Sequence, residues 1–438
     1  MRFTTAASLA LAASLATTAF AQITPTRVGP VSQYGQLMTG KNSSGKGQIY
    51  GSCEGVKDGA EVQVRGMSLY WSLMPQAVEF WSEEGVSTMV RDMNIQIVRA
   101  AMATGNEDWQ GGYKGYASDP NTQKNLVKTV VEAAIKNDIY VIIDWHSHEA
   151  HKQTDAAKNF FKEMAETYGQ YDNVIFEVYN EPQQISWSEV KNYANQVIQV
   201  IRQYSDNLVL VGNPSWDQNP SDAIGNEVND SKKNTAYTLH YYANSHNWSG
   251  NYDWGGESEG AKGEKAMNAG LSVFISEWGT GNADGKGTPD QNRNKNWQDY
   301  VNKHKLSWAN WSASYINEGT AAFQEGSSKT SLQYTTSGNL VKGYLATNPT
   351  SYKACKAEEE VAIKAPAIAS GFSVNLEGKT LNIVGGNANV EIYSLLGNKF
   401  MAVENVSGAL SLASLPSGSY VVRVNAKEGS KTMRVQVR

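Results

Sequence analysis

The stretch Asn173-Val-Ile-Phe-Glu-Val-Tyr-Asn-Glu-Pro182 decides the fold that this sequence predicts. Its first residues are mostly apolar and β-branched or aromatic, which is typical of a buried strand. Pro182 cannot donate a hydrogen bond to a sheet and disfavours helical backbone at the residue before it, so the strand ends here. Asn180 and Glu181 are therefore expected to project from the carboxyl end of the strand.

A second run, Leu271-Ser-Val-Phe-Ile-Ser-Glu-Trp-Gly279, has the same design and places Glu277 near its end. Similar apolar runs alternate with amphipathic stretches whose apolar residues recur at three- and four-residue spacing. Eight such repeats close into a (β/α)8 (TIM) barrel, with a doubly wound open sheet as the alternative. The predicted strands are Val64–Leu69, Ile95–Ala101, Ile139–Trp145, Val174–Tyr179, Leu208–Val211, Ala236–Tyr241, Leu271–Ser276 and Leu306–Trp311.

The segment before the predicted barrel has two parts. Residues 1–21 contain one basic residue, an Ala- and Leu-rich apolar stretch and a closing Ala-Phe-Ala, which predicts a secretory signal peptide. Residues 22–47 are polar and contain glycine and serine, which predicts a flexible lead-in. The barrel domain is expected over 48–356, beginning with a hairpin between Tyr50 and Val64 whose turn lies at Lys57-Asp-Gly59.

The composition changes again after residue 356. Residues 357–370 are rich in alanine and contain acidic residues and a proline, which predicts a linker. Residues 371–438 contain short alternating runs separated by turn residues, which predicts a small all-β, sandwich-like domain. Its predicted strands are 373–376, 381–384, 390–393, 420–424 and 432–437. Its large aromatic residues, expected to pack in the core rather than to form a binding platform, are Phe372, Tyr393, Phe400 and Tyr420.

Charge and cysteine content narrow the function classes. Without Arg2 of the signal peptide the sequence has 37 basic and 43 acidic residues, a net charge of 37 − 43 = −6. An acidic protein is a poor partner for nucleic acid, and no run after residue 21 is apolar enough to span a membrane. Cys53 and Cys355 flank the predicted barrel, and an even pair in an exported protein favours a disulfide, with two buried thiols as the alternative.

Functional groups of a (β/α)8 barrel collect at the carboxyl ends of its strands. The residues expected there are unusually polar and aromatic, and packing alone does not account for so many of them. Two carboxyl groups among them suit acid–base cleavage of a glycosidic bond. In strand order the candidates are Arg99, His146, Asn180 with Glu181, His240 with Tyr242, Glu277 and Trp311.

The motifs that carry these residues resemble glycoside hydrolase family 5, and most closely its bacterial secreted endo-β-1,4-glucanases. The resemblance spans roughly Val62 to Tyr315, and the motifs are specific as a set. They are Val98-Arg-Ala-Ala-Met102, Tyr140-Val-Ile-Ile-Asp-Trp-His146, Asn180-Glu-Pro182, Tyr237-Thr-Leu-His-Tyr-Tyr242 and Val273-Phe-Ile-Ser-Glu-Trp-Gly-Thr280.

The resemblance implies a retaining double displacement, with Glu181 as the acid/base and Glu277 as the nucleophile. Retaining enzymes hold these carboxyl groups about 5 to 5.5 Å apart. Arg99 is expected to keep Glu277 ionised, and Asn180 to bind the sugar 2-hydroxyl. The family's other hydrogen-bonding residues beside the carboxylates are matched by His146, His240 and Tyr242.

Other residues of the cleft are also implied by the resemblance. Trp216 and Trp311 match family platforms that stack on sugar rings, whereas Trp109 does not clearly match one. Glu318 matches a carboxylate that binds a distal glucose. Relatives usually have His where this chain has Tyr70-Trp71, which leaves the preferred sugar open.

A metal site is the alternative for the neighbouring residues His146, His148 and His151. Their spacing is not that of a helical zinc pair and no thiol is nearby. Hydrolysis by two carboxyl groups needs no cofactor, and none is expected.

The expected protein is a secreted or cell-surface bacterial cellulase that acts on its polysaccharide as a monomer. A β-mannanase or mixed-linkage glucanase is the nearest alternative, and a glycan-binding protein without catalysis is the alternative of another class. Residues 390–399, 415–423 and 433–438 resemble sorting domains of type IX secretion. The carboxy-terminal domain is therefore expected to engage the secretion machinery, with a glycan-binding module as the alternative.

Overall fold

A computed structural model describes residues 22–105, 113–355, 373–394, 399–416, 418–427 and 429–437. The chain divides into two compact units between Cys355 and Lys356. The predicted signal peptide (1–21), the predicted linker (357–370), Trp109, Phe372 and parts of the three sorting-domain motifs lie outside the described residues.

The amino-terminal segment is ordered and corrects two expectations. Helix α1 (Pro30–Tyr34) precedes an antiparallel hairpin of β1 (Leu37–Lys41) and β2 (Gly47–Gly51). The prediction of a flexible lead-in over 22–47 is therefore wrong for these elements. The hairpin predicted between residues 50 and 64 is also wrong, because helix α2 (Gly55–Asp58) lies where its turn was expected.

This segment is ordered because it packs on the barrel interior. Leu37 and Ile49 are buried in a cluster with residues from several barrel strands. The Tyr140 hydroxyl donates a hydrogen bond to the Gly35 carbonyl at 2.6 Å. Because these partners are distant in sequence, no local pattern indicates them. The polar composition of residues 22–47 therefore did not show that the segment is ordered.

A closed ring of parallel strands forms the rest of the first unit and confirms the predicted (β/α)8 barrel. Its strands are β3 (Arg65–Leu69), β4 (Ile97–Ala103), β5 (Tyr140–His146), β6 (Val174–Glu177), β7 (Val209–Val211), β8 (Thr235–Thr238), β9 (Tyr241–Tyr242), β10 (Val273–Gly279) and β11 (Trp308–Ala313). β8 and β9 are two pieces of the sixth strand, and both pair with β10. β11 pairs with β10 and β3, which closes the ring.

Helices alternate with the strands and pack their apolar faces on the ring. They are α3 (Pro75–Val78), α4 (Glu83–Met93), α5 (Pro120–Lys136), α6 (Thr154–Tyr168), α7 (Trp187–Ile201), α8 (Pro214–Asp217), α9 (Glu259–Asn268), α10 (Gln291–Lys303) and α11 (Thr336–Leu345), with 3-10 turns at Ala150–Gln153 and Pro220–Ala223. The local sequence determines where some of these helices begin. At α7, for example, Ser186 and Glu189 form a capping box. Within the described ranges, no helix is long and apolar enough to cross a bilayer.

A disulfide joins Cys53 to Cys355, with the Cα atoms 5.8 Å apart. The bond links residues separated by 302 positions, so the loop that it closes contains the whole barrel. In the chain-entropy description, such a cross-link stabilises the fold by restricting the unfolded chain.

The second unit is all-β, as predicted. Its strands β12 (Ser373–Glu377), β13 (Thr380–Ser394), β14 (Lys399–Ser411), β15 (Gly418–Ala426) and β16 (Gly429–Val437) form one antiparallel sheet. β13 merges two predicted strands, and β14 has no predicted counterpart. Tyr420 is buried in the core of this unit, whereas Phe400 is 52% exposed and corrects the expectation that it packs inside.

Candidate active site

The strand ends bring most of the predicted site residues together at one face of the barrel. All of them are buried except Glu181 and Trp216, and hydrogen bonds join the polar ones into a network. Their positions are Arg99 in β4, His146 in β5, Asn180 and Glu181 after β6, Trp216 after β7, His240 and Tyr242 in the sixth strand, Glu277 in β10 and Trp311 in β11.

Arg99 is the centre of the network. Its Nε donates to Glu177 Oε2 at 2.7 Å, its Nη1 to Glu277 Oε2 at 2.8 Å, and its Nη2 lies 2.9 Å from Asp144 Oδ2. Burial opposes the charge of Arg99, but the three carboxylates raise its pKa above the ordinary value. Arg99 is therefore a permanent cation surrounded by three acidic groups.

Glu277 is held by two hydrogen-bond donors. Arg99 binds one carboxylate oxygen, and the Tyr242 hydroxyl donates to the other at 2.8 Å. Burial and the nearby charge of Glu277 raise the pKa of Tyr242, so its hydroxyl stays protonated and donates. These two donors, one to each oxygen, fix the plane of the carboxylate.

Arg99 also orients Asn180. Its Nη2 donates to Asn180 Oδ1 at 2.7 Å, which identifies the oxygen of the amide. The Asn180 Nδ2 atom is buried and has no hydrogen-bond partner among the described residues. A buried donor left without an acceptor costs free energy, and a ligand that supplied an acceptor would remove this cost.

Glu181 has a backbone conformation that its neighbours maintain. Its φ is +49°, in the left-handed region that non-glycine residues seldom occupy. The Glu181 N–H donates to Asp217 Oδ2 at 3.0 Å, and the Trp216 N–H donates to the Pro182 carbonyl at 2.9 Å. The segment after β7 therefore fixes the end of the neighbouring strand β6, where a strained backbone is typical of a functional site.

Both carboxylate oxygens of Glu181 contact histidines. His240 Nδ1 lies 3.1 Å from Oε1, and His148 Nε2 lies 3.2 Å from Oε2. Burial raises the pKa of Glu181, but hydrogen bonds from His148 and His240 outweigh it and hold the pKa below its ordinary value. Burial also opposes a charge on His240, but Asp217 and Glu181 raise its pKa to about 9.

The hydrogen bonds around His240 define where its protons lie. Ser276 Oγ donates to Glu177 Oε1 at 2.6 Å, so it accepts from His240 Nε2 at 2.9 Å. His240 Nδ1 then faces Glu181, and the two groups share one proton. Because the pKa of His240 is raised and that of Glu181 is lowered, this proton lies on His240 when the cleft is empty.

His146 and Trp311 stack with ring centroids 5.5 Å apart and planes 6° apart. His146 Nδ1 pairs with Asp144 Oδ2 at 2.7 Å. Burial and the charge of Arg99 lower the pKa of His146 to about 3, so His146 is neutral. The contact with Asp144 and the stacking on Trp311 fix the orientation of its ring.

Trp216 and Glu318 lie beside different parts of the network. Trp216 is 36% exposed and lines a cavity of about 290 Å³ with Glu181, His240 and His246. Glu318 instead accepts from the Tyr70 hydroxyl at 3.0 Å. The Tyr70 ring packs 4.8 Å from the ring of Trp311, so Glu318 lies on the Trp311 side of the cleft.

His146 at the end of β5 and two histidines in the connection to α6 have separate partners. His146 pairs with Asp144 and His148 with Glu181, while His151 Nδ1 lies 2.6 Å from the Tyr179 hydroxyl. They do not converge on one point, so the alternative of a metal site built from these three is not supported.

Sequence reasoning missed several members of the network. Asp144 and Glu177 each interrupt an apolar strand run, and this interruption is a sequence signal for a buried functional acid. The sequence indicates His148 only as a possible metal ligand. Asp217 and Ser276 left no signal, because their roles depend on contacts between strand ends that are distant in sequence.

Two close carboxyl groups at the strand ends of a (β/α)8 barrel are the arrangement that a glycoside hydrolase requires. The sequence model of Cellulase (glycosyl hydrolase family 5) matches residues 56–317, and the chain belongs to this family.

Individual relatives agree with this assignment. Endoglucanase Z of Dickeya dadantii is 41% identical over 292 residues, which are 66% of this chain and 63% of that protein, so the chain spans a little under two thirds of this relative. A solved structure from Cytophaga hutchinsonii is 35% identical with a TM-score of 0.63, covering 73% of this chain and 96% of that one. The catalytic domain of Thermobifida fusca endoglucanase Cel5A in complex with cellotetraose is 28% identical with a TM-score of 0.61, covering 73% and 100%.

Replacing Arg99 by Met is expected to lower the free energy of unfolding by about 3 to 5 kcal/mol, because three buried carboxyl groups lose their cation. Burial already raises the pKa of Asp144 to about 7 despite Arg99. Without Arg99 this pKa rises further above the unfolded value, so the carboxyl group is neutral at pH 5 and ionised at high pH. The loss of stability is therefore larger at pH 8 than at pH 5, as measured by urea unfolding.

The matched control is Arg91→Met, which removes an exposed arginine paired with Asp92. It is expected to leave the unfolding curve unchanged at both pH values. An Arg99→Met protein as stable as wild type at pH 8 would show that the carboxylates do not depend on Arg99.

Proposed function

We propose that the protein hydrolyses internal β-1,4-glucosidic bonds of cellulose-like glucans with retention of anomeric configuration. The observation that carries this proposal is the spacing of Glu181 and Glu277, which have carboxylate oxygens within 4.8 Å of one another. An inverting pair needs about 6.5 to 9.5 Å to admit a water between the groups, so the short spacing supports a nucleophile and an acid/base.

In the first step, a carboxylate oxygen of Glu277 attacks the anomeric carbon while the bond to the leaving oxygen breaks. That oxygen receives the proton shared by Glu181 and His240. The proton passes from His240 Nδ1 to Glu181 Oε1 along their 3.1 Å contact and from Glu181 to the leaving oxygen. The products are a glycosyl ester of Glu277 and a shorter chain with a new hydroxyl group.

In the second step, ionised Glu181 takes a proton from a water whose oxygen attacks the anomeric carbon. The ester bond to Glu277 breaks and its carboxylate is restored. While the ester exists, Glu277 carries no charge, and one of the charges that raise the pKa of His240 is absent. The pKa of His240 is then lower, so His240 gives up its proton to Glu181 more easily as the ester forms.

A β-glucan is the substrate class that the cleft and the relatives support best. The unpartnered Asn180 Nδ2 can donate to a sugar hydroxyl beside Glu277. Trp216 and Trp311 offer rings on which sugar faces can stack, and Glu318 is a polar group on the Trp311 side. Relatives are described as endoglucanases, and one was solved with cellotetraose.

Export of the protein is part of the same proposal. The signal peptide expected over 1–21 leads to an oxidising compartment, where a Cys53–Cys355 disulfide persists. The all-β unit then acts as a sorting domain for the secretion machinery, and the barrel acts on its substrate as a monomer. The contacts that support the mechanism all lie within the barrel.

Activity is tested with the full chain on carboxymethylcellulose and, in parallel, on β-mannan. Wild type is expected to release reducing sugar from cellulose and to reduce its viscosity early, as internal cleavage requires. Glu277→Gln is expected to lower the rate by about three orders of magnitude or more, because the nucleophile is lost.

Glu163→Gln, the same change on the outer helix α6, is the matched control and is expected to retain wild-type activity. Faster cleavage of mannan would contradict the substrate class but not the mechanism. Cleavage of neither polymer would favour a glycan-binding protein without catalysis.

His148 is expected to position Glu181 for proton transfer. Gln183 Nε2 lies 3.4 Å from His148 Nδ1, so the proton on Nε2 can be donated to Glu181 Oε2. His148→Ala is expected to lower kcat on cellotetraose roughly tenfold, the value of one charge-assisted hydrogen bond. The rate on 2,4-dinitrophenyl β-cellobioside should hardly change, because this leaving group needs no proton.

His148→Gln keeps an N–H donor and is expected to recover most of the loss. His304→Gln changes a buried histidine before β11, at the opposite end of the barrel, and serves as the control. Equal losses on both substrates in His148→Ala would contradict a role through the acid.

A further inference from the structure

The connection between β9 and α9 carries an exposed aromatic pair outside the catalytic network. Trp254 is 76% exposed, the highest value among the large hydrophobic side chains that the structure describes. The Tyr252 ring lies parallel to it, with centroids 5.0 Å apart and planes 8° apart. A single exposed indole needs no explanation, but this ring is supported by a second ring and by a built turn.

A tight turn presents Trp254. The Tyr252 N–H donates to the Gly256 carbonyl and the Gly255 N–H to the Tyr252 carbonyl, both at 2.8 Å. Gly255 has a φ of +94°, a backbone conformation that costs free energy for any residue with a side chain. A Cβ atom on Gly256 would lie 1.9 Å from a Trp254 ring carbon, so only glycine leaves room for the indole beside this backbone.

Tyr252 is anchored from behind. Its hydroxyl donates to Glu259 Oε2 at 2.6 Å, and the Asn247 N–H donates to the same oxygen at 3.1 Å. Glu259 is 4% exposed and begins helix α9. The ring that supports Trp254 is therefore fixed to the barrel, and little rotamer entropy remains to be lost when a ligand stacks on the pair.

The connection lies on the active-site face of the barrel. Residues between a strand and the helix that follows it occupy the carboxyl end of a (β/α)8 barrel. The same connection starts at Tyr242, which binds Glu277, and includes His246, which lines the cavity of Glu181 and Trp216. Arg293 Nη2 fixes its root by donating to the His246 carbonyl at 2.7 Å. The connection that carries Trp254 therefore begins beside Glu181, the proposed acid that faces the leaving part of the substrate.

We propose that Trp254, backed by Tyr252, is a remote sugar-binding site for the leaving-group side of long β-glucan chains. This proposal rests on the proposed function. The flat, uncharged face of a pyranose ring suits an indole that lies against backbone. Asp253 and Glu257 flank the ring in sequence, so a neutral glucan suits this site better than a polyuronate.

The test compares the full-length wild type with Trp254→Ala on amorphous cellulose and on 4-nitrophenyl β-cellobioside, which is too short to extend beyond the cleft. Trp254→Ala is expected to raise KM for cellulose roughly fivefold, the value of one aromatic stacking contact, with kcat unchanged. Hydrolysis of the short substrate should stay at the wild-type rate, and Trp254→Phe should recover most of the affinity.

Tyr204→Ala is the matched control. Tyr204 is 37% exposed but follows α7 and precedes β7, at the opposite end of the barrel. Its replacement should leave KM for cellulose unchanged. A wild-type KM in Trp254→Ala, or an equal rise in Tyr204→Ala, would overturn the remote site while the proposed function stands. A wild-type protein that cleaves no β-glucan would overturn both.

Discussion

One buried guanidinium holds the active site of this protein together. Arg99 binds Asp144, Glu177 and Glu277, and without it three buried acidic groups would lose their only shared cation. The three acids come from β5, β6 and β10, so the ion cluster can form only when the ring is closed. The closed ring and the placement of the expected nucleophile therefore depend on the same set of contacts.

The second requirement is a carboxyl group that can both give and take a proton. We propose Glu181 for this role; Asp217 holds its left-handed backbone, and its two oxygens contact His240 and His148. An isolated ionised glutamate would be a poor acid. Sharing a proton with His240 supplies the acid without requiring the free carboxyl group to be neutral, since the proton is stored on the imidazole and moves through Glu181.

The barrel strands could be predicted from the sequence where neighbouring residues alone determine them. The strand before Pro182 and the run that contains Glu277 could be recognised because both are apolar and end in polar residues. Leu37 and Ile49 could not be assigned, since their packing partners are distant strand residues. In the second unit, β13 continues through a glycine-containing stretch that the sequence pattern read as a break.

The candidate site shows the same difference between residues marked by a local pattern and residues placed by distant contacts. Residues at strand ends were predictable from the rule that barrel side chains meet at the carboxyl edge. His148 and Asp217 lie in connections, and only the folded chain shows that they contact Glu181. Trp254 likewise lies in a long connection, where neither spacing nor composition indicates whether a ring is buried or exposed.

The most direct test of the mechanism is to trap its covalent intermediate. The full chain is incubated with 2,4-dinitrophenyl 2-deoxy-2-fluoro-β-cellobioside. Its fluorine slows both steps, but its activated leaving group speeds only the first, so the covalent intermediate accumulates. Intact mass followed by peptide mapping is expected to show one fluorocellobiosyl group, attached to Glu277. Attachment to Glu181, or turnover with inversion and no adduct, would contradict the assignment of Glu277 as the nucleophile.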